Sequence, residues 1–175
     1  MLITIISDVH NNEVNLQKVL NYCKDNNIST IICCGDLASD ETLEFLNNNF
    51  SGVIYYTFGN MDNDHLRKYE DVKKYKSTVL YNDFGETEID GKKIAFVHYP
   101  EKAKKLCETG KYDFVFYGHT HKPWVAYAET SDDQEKKKCT MLNPGNVTGD
   151  FYLPTFAVWN TSNDNFRLIR IHNLK

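Results

Sequence analysis

Residues 2–36 read L-I-T-I-I-S-D-V-H-N-N-E-V-N-L-Q-K-V-L-N-Y-C-K-D-N-N-I-S-T-I-I-C-C-G-D. The opening β-branched run, residues 2–7, predicts a buried strand. Asn11 or Asn12 can cap a helix, and Leu16, Val19, Leu20 and Cys23 then share one helical face to about residue 26. Ser29 to Cys34 is a second apolar run. A strand–helix–strand unit this tight builds two parallel neighbours in one sheet. Both runs lead into an aspartate, Asp8 and Asp36. In an open α/β sheet, ligands bind at the carboxyl ends of the strands.

The unit then repeats. Ser39 or Asp40 caps a second helix, with Leu43 and Leu46 facing inward to about Asn48, and Val53–Phe58 is a third strand ahead of Gly59-Asn60. Beyond that the pattern changes. A short helix is expected over 62–69, and strands over Val79–Tyr81, Phe84–Ile89 and Ile94–His98, with Asp90-Gly91 as a tight hairpin. Glu101–Glu108 reads as a helix ended by Gly110, and Phe114–Tyr117 as another buried strand. The last third is β-rich, about 124–129, 139–142, 154–160 and 165–172, with charged Thr130–Lys138 as an exposed loop. No stretch reads as a linker and no repeat is visible. The expectation is an α/β fold of one domain over 1–175, with two mixed sheets face to face and helices outside.

Composition narrows the class. Apolar residues make up 41% of the 175 and charged residues 25%, a globular balance. Net charge is -4 and the pI about 5.8, which argues against a broad nucleic-acid surface. Residues 1–6 are too short for a signal h-region and lack a basic flank, and no apolar stretch reaches the roughly 20 residues of a spanning helix. A soluble, cytoplasmic protein is expected, and homo-oligomerisation is compatible with this composition. Five cysteines, Cys23, Cys33, Cys34, Cys107 and Cys139, include no C-x-x-C pair. They read as reduced thiols, some of them in the core.

Seven candidate metal ligands fall in five strand-end motifs: Asp8 and His10 in S-D-V-H, Asp36 in C-G-D, Asn60 in G-N-M-D, His98 in V-H-Y, and His119 and His121 in G-H-T-H. Carboxylate, imidazole and amide oxygen suit hard or borderline divalent cations. Seven ligands exceed one tetrahedral zinc and suit two metals, a device for phosphoester hydrolysis. D-x-H and H-x-H place two ligands on one side of an extended segment. A glycine precedes Asp36, Asn60 and His119, leaving room for close approach.

Taken in order, S-D-V-H, C-G-D, G-N-M-D, V-H-Y and G-H-T-H-K-P resemble the calcineurin-like metallophosphoesterase superfamily. The short G-N-x-D form and L-N-P-G-N (Leu142–Asn146) are similar to its small YfcE-like phosphodiesterases of bacteria and archaea. The resemblance implies a four-layer α/β/β/α sandwich. It implies that Asp8, His10 and His121 hold a first divalent metal, that Asn60, His98 and His119 hold a second, and that Asp36 bridges both. Asp36, Asn60 and His98 are then catalytic, and a bridging hydroxide attacks phosphorus in line. Manganese is the expected metal; Zn, Fe, Ni, Co or Mg also fit the donors. The expected substrate is a small phosphodiester, nucleotide-like or generic.

The chain departs from the superfamily pattern at several places. Met61 stands where related phosphomonoesterases carry a histidine that protonates the leaving group, so aryloxide leaving groups are favoured. His65 lies four residues on and is the candidate substitute, or a surface histidine. Ser39 replaces an aspartate that supports the site. Asp62 orients Asn60 or caps the next helix. Tyr99 narrows the pocket, stacks on a substrate ring, or packs. Two competing readings share the fold: a non-catalytic scaffold like the small subunit of the retromer coat, and a phosphomonoesterase or nucleotide phosphatase. An amidohydrolase is a third, disfavoured because its H-x-H usually comes early.

Overall fold

The computed structural model describes residues 1–62, 75, 77–129 and 138–174. Eleven strands among them form two sheets. The first comprises β1 (Leu2–Ile6), β2 (Thr30–Cys33), β3 (Val53–Thr57), β4 (Thr78–Tyr81), β10 (Thr155–Asn160) and β11 (Asn165–Arg170), in the order β11-β10-β1-β2-β3-β4. Strands β1 to β4 run parallel, and β10 and β11 are antiparallel additions at one edge. The second sheet comprises β5 (Phe84–Ile89), β6 (Lys92–Val97), β7 (Phe114–Tyr117), β8 (Trp124–Glu129) and β9 (Lys138–Asn143), in the order β5-β6-β7-β9-β8. Its centre, β6-β7-β9, is parallel.

Alternation along the strands makes the layers. Ile3, Ile5, Ile32 and Cys34 pack with Ile94, Phe96, Phe116, Leu142 and Trp159, forming the core between the sheets. Ile6, Ile31 and Cys33 point the other way, onto the helical layer. That layer is α1 (Glu13–Asp25) and α2 (Asp40–Asn49). Leu16, Val19, Leu20 and Cys23 of α1 are all buried there, as are Leu43 and Leu46 of α2. Helix α3 (Pro100–Glu108) covers the far face of the second sheet through Ala103 and Cys107. The result is the expected α/β/β/α sandwich with two mixed sheets.

Local chemistry resolves the open boundaries. Asn12, not Asn11, caps α1: its Oδ1 accepts the Asn15 N–H at 3.0 Å. Ser39 caps α2 by accepting the Thr42 N–H. Asp90 and Gly91 both have positive φ, 50° and 73°, so the β5–β6 hairpin turns through a pair of left-handed residues. The terminal strand is shorter than expected, because Ile171–Asn173 winds into a 3₁₀ turn with Ile171 buried. The expected helix over 62–69 lies, except for Asp62, outside the described residues, and so does the 130–138 loop except for Lys138.

The cysteines require a correction. Cys23, Cys33 and Cys34 are buried free thiols, as expected, and burial pushes all three pKa values up, Cys23 to about 11. Cys107 and Cys139, however, are disulfide-bonded, joining α3 to β9 across a Cα–Cα distance of 5.5 Å. The two stand 32 residues apart in sequence. Only the packing of α3 on the second sheet brings them together, which spacing cannot reveal.

Candidate metal centre

The carboxyl ends of β1, β2, β3, β6 and β7 lie along one edge of the sandwich and carry all five motifs. The loops after β1 and β2 hold each other directly. The N–H groups of Asp8, Val9, His10 and Asn11 donate to the carbonyls of Gly35, Asp36, Asp36 and Leu37. The β9–β10 loop joins them, with Val147 N–H and Thr148 N–H donating to Asp8 O at 3.2 and 2.9 Å.

The motifs do not converge as extended segments. Asp8, His10, Asp36, His119 and His121 all have left-handed φ, from 46° to 69°. Five of the seven candidates therefore sit in backbone that a non-glycine residue adopts at a cost of roughly 1–3 kcal/mol. D-x-H and H-x-H do bring their pairs together, but through tight turns rather than strand alternation. Such strain persists only where the surroundings over-determine it, and it clusters at functional sites.

All seven side chains come together in two linked groups. In the first, His10 Nε2 lies 3.9 Å and His121 Nε2 3.3 Å from Asp8 Oδ1. In the second, Asn60 Oδ1 lies 3.1 Å from His98 Nε2 and 3.0 Å from His119 Nδ1. Asp36 joins them. Its Oδ2 stands 3.5 Å from His10 Nε2 and 3.2 Å from His98 Nε2. Its Oδ1 is committed elsewhere, accepting the Met61 N–H at 2.7 Å. The same oxygen thus faces both groups.

Carbonyl groups orient the imidazoles. His98 Nδ1–H donates to Cys34 O at 2.9 Å, and His121 Nδ1–H to Asp150 O at 3.2 Å. A carbonyl can only accept, so each ring turns an Nε2 lone pair inward. Electrostatics agree with a site short of positive charge. Burial pushes the His98 imidazole down, but Asp36 against it prevails and the net shift is up. Asp8 raises His121. Burial pushes the Asp36 carboxyl up, yet contacts from His10 and His98 outweigh it and hold it well below the usual range.

The arrangement fits divalent cations. Asp8 Oδ1 and His10 Nε2 are buried without a hydrogen-bond partner, a costly state for polar atoms unless a ligand takes them up. One potential ligand atom each from Asp8, His10 and His121, and likewise from Asp8, Asp36 and His98, lies within 4.8 Å of the others. The glycines are part of the cradle. A Cβ on Gly35, whose φ is +101°, would stand 2.6 Å from His98 Nδ1, and one on Gly59 2.8 Å from the same atom.

The supporting candidates sort unevenly. Asp62 is buried, and its carboxylate accepts from the N–H groups of Asp36, Ala38 and Gly59. Ser39 is occupied as the α2 cap and in a contact with the Thr42 hydroxyl. Tyr99 is 40% exposed and meets His98 and His119 edge-on. His65 lies outside the described residues. The end of β9 and the β9–β10 loop contribute support that sequence reasoning gave no role. Asn143 Nδ2 donates to Gly118 O and Asn146 Nδ2 to His121 O, so L-N-P-G-N braces the G-H-T-H turn. Asp150 places Oδ2 3.7 Å from His10 Nδ1, and the Phe151 ring lies 5.7 Å from that of His121. For Asp150 and Phe151 the available signal was G-D-F-Y-L-P (149–154), three large apolar residues belonging to no strand.

Known proteins carry the same architecture. Residues 1–164 match the model of the calcineurin-like phosphoesterase superfamily domain. Phosphodiesterase MJ0936 of Methanocaldococcus jannaschii is 30% identical over 172 residues, spanning 97% of this chain and 98% of that protein. A solved archaeal phosphodiesterase superposes with a TM-score of 0.82 at 29% identity, covering 97% and 99% of the two chains. Vacuolar protein sorting 29 from Cryptosporidium parvum shares the fold alone, with a TM-score of 0.63 at 20% identity over 96% and 95%. Since the family model spans the strand ends that bear the five motifs and a relative matches nearly end to end, this chain belongs to the calcineurin-like phosphoesterase superfamily.

Proposed function

We propose that residues 1–175 act as one domain, a phosphodiesterase that uses two divalent metal ions. The single observation that carries this reading is Asp36 Oδ2, set between His10 Nε2 and His98 Nε2. Asp8, His10 and His121 would hold one ion, and Asn60, His98 and His119 the other. Asp36 would serve both groups, its Oδ2 facing them while its Oδ1 accepts the Met61 N–H. When bound, such ions acidify water and polarise phosphoryl oxygens.

The chain's own residues set the rest. Carbonyls of Cys34 and Asp150 fix the His98 and His121 rings. Asn60 contributes a neutral oxygen, so its group neutralises less cation charge than the group built on Asp8. Met61 is 49% exposed and has no proton to give, so position 61 supplies no acid to the departing oxygen. Substrates with stable leaving groups, such as aryl diesters, suit that arrangement. Manganese is the proposed metal and a small, nucleotide-like diester the proposed substrate. No helix among the described residues is long and apolar enough to cross a membrane.

Asp36→Ala should abolish manganese-dependent hydrolysis of a bis-aryl phosphate and lower bound metal by elemental analysis. Full activity in that variant would sink the reading. The scaffold reading shares the fold seen in vacuolar protein sorting 29. Turnover separates the two, since a scaffold that keeps these donors would also take up metal.

A further inference from the structure

The β9–β10 loop carries a phenyl ring in a position that packing does not account for. Phe151 is 92% exposed, whereas phenylalanine is ordinarily among the most buried residue types. Its φ is +65°, a true outlier for a bulky side chain. Strain of this kind marks functional sites when the surroundings enforce it. Here they do. Gly149 N–H donates to Asn146 Oδ1 at 2.5 Å, and the Thr148 hydroxyl to Asp150 Oδ2 at 2.9 Å. Tyr152 N–H donates to Asp150 O at 2.8 Å, closing the turn around Phe151 itself.

The ring is held beside the site. It meets His121 at 5.7 Å with the planes inclined at 64°. His121 in turn belongs to the Asp8–His10–His121 group. Tyr99 has the corresponding place on the other group, meeting His98 and His119 at 5.1 and 5.0 Å while 40% exposed. Each half of the ligand set is therefore flanked by one exposed aromatic ring. An aromatic ring kept in water presents a free face, and planar groups bind such faces by stacking whatever their substituents.

The geometry points to Phe151 as a specificity-determining residue, a platform that stacks on a planar aromatic group esterified to the phosphate, such as an aryl ring or a nucleobase-bearing nucleoside. This rests on the phosphodiesterase reading and adds the substrate class. Phosphate would be held by the donor groups, and the ring it carries would lie on Phe151.

The test is calorimetric titration of the manganese-loaded wild type, Phe151→Ala and Phe151→Tyr with phenylphosphonate and methylphosphonate. Stacking predicts that the wild type binds the phenyl compound about tenfold tighter. Phe151→Ala should lose that preference while its methylphosphonate affinity stays within about twofold, and Phe151→Tyr should keep it. Equal affinities in the wild type, or a phenyl preference that survives Phe151→Ala, would overturn the proposal and leave the phosphodiesterase reading standing. A wild type that binds neither phosphonate would overturn both. The exposure of Phe151 means that truncating it removes little packing, and the tyrosine variant controls for the loop.

Discussion

The Asp62 carboxylate accepts the backbone N–H of Asp36 at 2.9 Å, and so ties the centre of the site to the loop after β3. The same carboxylate accepts from Ala38 at 3.0 Å and Gly59 at 2.6 Å. Asp62 therefore holds the backbone of the β2 loop at Asp36 and Ala38 and that of the β3 loop at Gly59, rather than the Asn60 side chain. Asp62→Ala strands three N–H groups and should cost about 2–4 kcal/mol in chemical denaturation. Metal affinity should fall about 10- to 100-fold by titration, as for other residues that orient ligands. A loss of stability with metal affinity unchanged would separate the two loops' fold from the site and refute this role.

Gly35 and Gly59 both lie against the His98 ring. Gly59→Ala should push Asp36 and His98 apart and reduce metal affinity by about tenfold or more, with the far-UV spectrum unchanged. Gly35→Ala adds strain at φ +101° and should also lower the melting temperature. Metal titration and thermal unfolding of the two variants check both statements.

The Cys107–Cys139 bridge fastens α3, whose first residue follows Tyr99, to β9, which ends at Asn143. Alkylation of the unfolded protein without reductant should label three thiols, and five after reduction. Replacing both cysteines by alanine should cost about 4 kcal/mol, in line with a loop of this length. Labelling of all five without reductant would show the bridge absent from the isolated protein.

Tyr112 donates its hydroxyl to Glu86 Oε2 at 2.6 Å, and burial with that carboxylate pushes its pKa up to about 12. A raised pKa means that the folded state keeps the phenol protonated longer than the unfolded chain does. The contribution is full below the ordinary tyrosine value near 10 and disappears as pH rises towards about 12. Tyr112→Phe should therefore show a shallower loss of stability than the wild type between those limits, measured by denaturant unfolding across the alkaline range.

How much of this was legible follows from what each residue's role depends on. The strands were legible because Ile3, Ile5, Ile32 and their neighbours are continuous apolar runs, and the seven donors because each motif closes such a run. Their convergence was inferred from alternation and is achieved by left-handed turns, since spacing fixes which residues meet but not the dihedrals that bring them together. Asp62 was visible as a nearby carboxylate, yet its partners are backbone groups, which carry no sequence signature. Cys107–Cys139 and Phe151 depend on long-range packing of α3 on β9 and of the β9–β10 loop on the site. Locally, the only trace of either is the run of large apolar residues 151–153 outside any strand.

Met61 gives the sharpest test of how the leaving group departs. Its N–H holds Asp36 Oδ1, while its side chain is half exposed and cannot donate a proton. Under the phosphodiesterase reading, rates on a series of diesters should fall steeply as the leaving group becomes more basic, because its charge goes unneutralised by position 61. Met61→His keeps the backbone N–H and adds an acid. It should raise kcat/KM on a basic alkoxide leaving group by about tenfold or more and change aryloxide turnover little, flattening the dependence. The pH profile of the gain should show the histidine acting in its protonated form, lost as pH rises through the imidazole range. An equal change for every leaving group would instead place the effect of position 61 in the geometry of Asp36.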